Sequence, residues 1–101
     1  MDESLTYRLA TENDLIDIIN LLADDTLGSQ RETLELPLPE SYRRAFAAIA
    51  SDPNQELTVA ELNGDIVGTF QLSFIQYLTH QGSRRAQIEA VRVRSSYRGQ
   101  G

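Results

Sequence analysis

The run Val91-Arg92-Val93-Arg94-Ser95-Ser96-Tyr97-Arg98-Gly99-Gln100-Gly101 holds the strongest chemical signal in this 101-residue chain. A stretch with alternating valines leads into a loop of arginine, glycine and glutamine. Gly99 and Gly101 lack Cβ atoms, so the backbone there can turn sharply and come close to a ligand. Successive backbone N–H groups in such a turn, followed by a helix N-terminus, make a cradle for phosphate oxygens. Arg98 adds a guanidinium suited to phosphate. The chain is expected to carry a phosphate-binding loop at Arg98, Gly99, Gln100 and Gly101 and to stop inside it. The plainer alternative is an ordinary glycine-rich turn.

Charge distribution points the same way. The formal net charge is -6, which argues against general nucleic-acid binding, since that needs a basic footprint. It favours a cationic acceptor or partner. Acidic residues dominate Met1 to Leu36, whereas Arg84, Arg85, Arg92, Arg94 and Arg98 crowd the last eighteen positions. Basic residues gathered in an acidic chain suggest one local anionic ligand, against the alternative of solvated arginines alternating along a strand. There is no cysteine, which excludes disulfides, thiolate metal ligands and a thiol nucleophile. His80 is the single histidine, set in a polar stretch between Thr79 and Gln81, and reads as a surface residue. One histidine without cysteine makes no zinc site, so no metal is expected.

These groups need elements to position them. At this length the chain is at most one domain, burying ~60–65% of its unfolded surface if folded alone. No run approaches the ~18 apolar residues of a membrane span. The N-terminal Met1-Asp2-Glu3-Ser4 lacks the character of a signal peptide. A soluble, cytoplasmic protein is expected.

Leu5 to Leu9 reads as a first strand. Thr11-Glu12-Asn13-Asp14 fits a capping box, with Thr11 as N-cap and Asp14 reaching back. Leu15, Ile18, Ile19 and Leu22 then fall at i, i+3, i+4, i+7, one face of a helix ending near Asp24-Asp25. Thr26 to Pro39 is expected to be irregular, because Leu36-Pro37-Leu38-Pro39 cannot be helix interior. Tyr42, Ala45, Phe46 and Ile49 mark a second helix over Glu40 to Ala50, closed by a turn at Ser51-Asp52-Pro53-Asn54.

Leu57 to Leu62 and Ile66 to Ile75 are rich in β-formers. Asn63-Gly64 between them favours a type I′ hairpin. Phe70, Leu72 and Phe74 share one face of the second of these strands; Thr69, Gln71 and Ser73 share the other. After a polar connection from Gln76 to Ser83, Ala86 to Val93 forms the next strand. Simple alternation would point Glu89, Val91 and Val93 one way and Ile88, Ala90 and Arg92 the other.

The order strand, helix, helix, strand, strand, strand, phosphate loop resembles the GNAT superfamily of N-acetyltransferases. Its loop pattern is [Gln or Arg]-x-x-Gly-x-[Gly or Ala], and Arg98, Gly99, Gln100 and Gly101 fill the first four of its six positions. The extended match from Ile88-Glu89-Ala90-Val91-Arg92-Val93 to Tyr97-Arg98-Gly99-Gln100-Gly101 is the more specific part. Ser95 departs from the proline of many relatives, which loosens the strand exit. The resemblance implies an α/β (α+β) fold, mainly antiparallel sheet with two helices in the order β-α-α-β-β-β. Residues 1–101 would be a single, incomplete GNAT domain covering about its first two-thirds.

The resemblance also implies acetyl-CoA as co-substrate and a small-molecule or protein amine as acceptor. Nucleic acid and membrane are not expected as partners, and a homodimer stays open. Glu89 is the candidate general base, acting through water; its alternative is a strand glutamate facing solvent or pairing with Arg84 or Arg85. Val91, Arg92 and Val93 would offer main-chain groups to the pantetheine arm, one N–H also reaching the thioester oxygen. Arg98, Gly99, Gln100 and Gly101 would bind the pyrophosphate. Tyr7, Tyr42, Tyr77 and Tyr97 do not occupy the family's proton-donor position. Acceptor recognition would come from Leu27 to Tyr42 and Gln76 to Arg85, with Glu32, Glu35 and Glu40 attracting a cationic amine and Phe74 and Tyr77 lining the pocket. Two other functions stay in view: a coenzyme A-binding sensor without turnover, and an inactive fragment that self-associates through the edge of Ala86 to Val93.

Overall fold

The computed structural model describes residues 4–24, 26–33 and 35–97. The expected phosphate loop, Arg98, Gly99, Gln100 and Gly101, lies outside the described residues.

Strands β1 (Leu5–Leu9), β2 (Gln55–Leu62), β3 (Asp65–Gln76) and β4 (Arg84–Val93) form one antiparallel sheet in the order β1-β2-β3-β4. Helices α1 (Leu15–Ala23), α2 (Thr26–Arg31) and α3 (Glu40–Ala50) fill the long connection from β1 to β2. This is the expected mixed fold with one helix more. Thr26 to Pro39 is irregular only in part, because Thr26–Arg31 is helical. Six residues containing Gly28 and Ser29 have little helical propensity of their own. Packing against α1 supplies what local sequence lacks.

The entry to α1 is built as the sequence suggests. The Thr11 N–H donates to Asp14 Oδ2 at 2.7 Å, and the Thr11 hydroxyl donates to the same oxygen at 3.1 Å. Glu12–Asp14 forms a turn of 3₁₀ helix leading into α1. Arg8 on β1 donates to both Asp14 oxygens, at 2.8 and 3.0 Å, and to Glu61 on β2 at 2.9 Å. The first turn is thereby clamped to the sheet. The core follows directly: Ile18 and Leu21 of α1 meet Val59 and Ile66, with Ala10, Leu22 and Leu57 packed around them. Val59 has no exposed surface at all.

Between β2 and β3, Asn63 (φ 52°) and Gly64 (φ 86°) form a two-residue turn flanked by the pair Leu62–Asp65. Positive φ at both positions is the type I′ signature. The β3–β4 connection is closed by Tyr77 N–H to the Ser83 carbonyl at 2.8 Å. Its turn, Thr79–Gly82, holds His80 and Gln81 at φ 52° and 61°, and His80 is exposed as expected.

One expectation about β4 is corrected. Register pairs Thr69 with Arg92 and Gln71 with Glu89, so Ala90 and Val91 both stand opposite Phe70. This is a β-bulge, with Ala90 at φ 54°. The extra residue breaks simple alternation. Glu89 and Arg92 therefore share the face of Gln71 and Thr69, while Val91 no longer points with Glu89.

Candidate functional site

Cross-strand partners lie on the same face of a sheet, so the register defines two surfaces. Leu57 pairs with Gln71 and Val59 with Thr69; Gln71 and Thr69 pair in turn with Glu89 and Arg92. This face receives the helices: α1 contacts β3 and β4, and α3 contacts β2. A cleft of about 120 Å³ lies here, lined among others by Ile18, Leu22, Tyr42, Phe46, Gln71 and Ala90. The opposite face carries a depression of about 430 Å³ bordered by Tyr7, Gly68, Phe70, Val91, Val93 and Tyr97.

Glu89 on β4 pairs with Gln71, which lines the helix-side cleft, and is exposed. Its carboxylate accepts from Gln87 Nε2 at 2.7 Å. Glu89 thus faces solvent, one form of the expected alternative; the other, an ion pair with Arg84 or Arg85, does not form, and Arg84 instead donates to Asn54 Oδ1 at 2.9 Å and lies 4.7 Å from the Phe74 ring centroid. Two and four residues on, Val91 and Val93 border the other face. The bulge places Glu89 and the two valines on opposite sides of the same strand end. Arg92 is half-buried between them and donates from Nη1 to the Val91 carbonyl at 2.9 Å. Beyond the strand, the Arg94 N–H still bonds the Val67 carbonyl at 2.7 Å, and Ser95–Tyr97 makes a 3₁₀ turn.

Gly68 lets this geometry close. A Cβ there would stand 3.2 Å from the Arg92 carbonyl oxygen, tight enough to push the neighbour. No local pattern singles out Gly68, nor Gln71, whose Nε2 donates to Gln55 Oε1 at 2.6 Å. Ala90 was equally unmarked, since alanine does not advertise a positive φ. The alternation Arg85, Gln87, Glu89 was the one available signal for a polar row beside the cleft.

Of the acidic residues expected to draw an amine, Glu32 is engaged elsewhere: the Tyr42 hydroxyl donates to its Oε1 at 2.7 Å and accepts from the Thr33 N–H at 2.9 Å. Burial, and then the Glu32 carboxylate, raises the Tyr42 pKa. Glu35 and Glu40 are exposed. Phe74 and Tyr77 do stand at the β3–β4 end, each beneath an arginine.

Residues 16–101 match the family model for the acetyltransferase (GNAT) family. The chain belongs to that family. A solved transcriptional regulator from Bacillus halodurans C-125 is 54% identical, with a TM-score of 0.91, covering 97% of this chain and 65% of that one. An acetyltransferase from Trypanosoma brucei is 28% identical (TM-score 0.69; 95% and 64% covered). A predicted acetyltransferase from Clostridium acetobutylicum, solved with acetyl-CoA, is 20% identical (TM-score 0.67; 97% and 65% covered) and shares the fold. The chain thus spans about 65% of the length of these proteins. No curated protein matches the sequence.

Proposed function

We propose that this protein transfers the acetyl group of acetyl-CoA to a primary amine by direct attack. The amine nitrogen bonds to the carbonyl carbon, the carbon–sulfur bond breaks, and the thiolate takes up a proton. Acetyl-CoA supplies the activated acyl group; the residues of this chain bind, orient and move the proton. Glu89, through a water molecule, takes the amine proton. Its carboxylate is open to solvent on the helix-side face, beside Gln71 of the cleft lining. A positioned general base of this kind contributes typically ~10²–10⁴-fold.

The main chain of Val91, Arg92 and Val93 orients the pantetheine arm, as an added strand would pair with a sheet edge. Two observations support this reading: β4 is the outer strand of the described sheet, and its bulge puts Glu89 and Val91 on opposite faces. Arg98, Gly99, Gln100 and Gly101 hold the pyrophosphate in this reading. The acceptor is a small-molecule or protein amine.

The observation that carries the proposal is the family match over residues 16–101, with Glu89 beside the β4 bulge. Calorimetry with acetyl-CoA and acetylation rates of Glu89→Gln test it. Binding together with a fall of about 100-fold in kcat is the expected result. No binding at millimolar ligand would sink the cofactor assignment, and an unchanged rate would remove Glu89.

A coenzyme A-dependent sensor is the second reading, favoured by the name of the 54% identical regulator. Acetyl-CoA binding without acetylation of any amine would select it.

A further inference from the structure

Arg85, Gln87 and Glu89 follow one another at every second position of β4, opposite Ile75, Ser73 and Gln71. They lie before the bulge, so their side chains share the helix-side face. All three are exposed. The row reads cation, amide, anion. Gln87 donates to Glu89 at 2.7 Å. Arg85 stands 5.1 Å from the Tyr77 ring centroid and enters no ion pair among the described residues. Arg84 belongs to the opposite face, where Asn54 and Phe74 occupy it. Arg85 is therefore the one arginine of this pair in line with Glu89.

We infer that this row is an acceptor rail, and that the acceptor carries an anionic group (carboxylate or phosphate) at some distance from its amine. The inference rests on the acetyl-transfer reading of Glu89. An ammonium arriving at Glu89 meets a carboxylate. Four residues further back, about 13 Å along the strand, Arg85 offers a planar fork of donors to the anion. Between them Gln87 presents an amide to a polar spacer. Stacking on Tyr77 limits the freedom of the guanidinium before binding, which lowers the entropy cost of using it. Because the row is open to water, the gain is that of an exposed ion pair. The expected selectivity is about fivefold and fades with salt.

The test uses the intact protein with acetyl-CoA and a panel of ω-amino carboxylates of increasing chain length. ω-Aminoalkyl phosphates, the corresponding methyl amides and α,ω-diamines complete the panel. At one chain length the anionic acceptors should exceed their neutral amides about fivefold in kcat/KM, through KM. Arg85→Gln should remove the preference and Arg84→Gln should keep it. The carboxylate and phosphate arms identify the anion. Equal kcat/KM for charged and neutral acceptors, or a preference that survives Arg85→Gln, would overturn the rail. Calorimetric binding of the same panel beside acetyl-CoA separates the two proposals. Charge-selective binding without acetylation sinks the transfer chemistry and keeps the rail. Acetylation without charge preference does the reverse.

Discussion

Arg8 reaches from β1 to two carboxylates, and Asp14 gains most from the contact. Hydrogen bonding to Arg8, aided by the Thr11 N–H and hydroxyl, lowers the Asp14 pKa from 3.8 to about 2, against the opposing effect of burial. The folded-state value lies below the unfolded one. The associated stability is therefore fully present above about pH 4 and is lost as pH falls toward 2. Arg8 is partly open to solvent, with 40% of its side chain exposed, so the contribution is about 1–2 kcal/mol. Urea melts from pH 5 to pH 2 should show this loss, and Arg8→Gln should flatten it. The same scale governs Glu89. It lacks a charged partner among the described residues, and its contact with Gln87 leaves one carboxylate oxygen open to an incoming group.

At the scale of elements, one turn and one bulge set the geometry of β3. Asn63-Gly64 sets the pairs next to the turn, Leu62–Asp65 and Glu61–Ile66, and a bulge between Ala60 and Glu61 shifts the register by one residue beyond them. Gly64 sits at φ 86° with open space around it, so a methyl group there clashes with nothing but its own backbone. Gly64→Ala should cost about 1 kcal/mol, read as a lower midpoint in denaturant with an unchanged slope. The bulge in β4 works differently. It rests on pairing of Thr69, Phe70 and Gln71 with four residues of the neighbour, Glu89 to Arg92, with Gly68 leaving room for the Arg92 carbonyl. Helix α2 is a third case, a six-residue helix stabilised by α1 rather than by its own composition.

For the molecule as a whole, the two faces of the sheet are unequal. The helix side holds the core of Ile18, Leu21, Val59 and Ile66. The other side leaves large apolar groups open, with Tyr7 62%, Leu9 59%, Ile88 61% and Val91 55% exposed. Contiguous apolar surface of this kind marks an interaction site or an aggregation liability, and β4 adds a strand at the edge of the described sheet. A polypeptide of residues 1–101 by itself should therefore self-associate. Size-exclusion chromatography of that polypeptide showing a compact, stable monomer would contradict this. No helix among the described residues is long and apolar enough to cross a membrane.

Local rules made much of the molecule legible in advance. The i, i+3, i+4, i+7 stripe of α1, the capping contact of Thr11 and Asp14, the span of α3 and the Asn-Gly hairpin each depend on residues close in sequence. So does the run from Ile88 to Gly101 that suggested the family. Tertiary structure alone decided the rest. The Ala90 bulge arises because β3 and β4 pair at different residue counts, and no single residue type encodes that difference. It turned Glu89 away from Val91 and toward Gln71, and so set which face each can serve. Helix α2 depends on packing against the neighbouring α1, and the placing of Arg85 over Tyr77 on the closed β3–β4 connection; residue type alone sets neither.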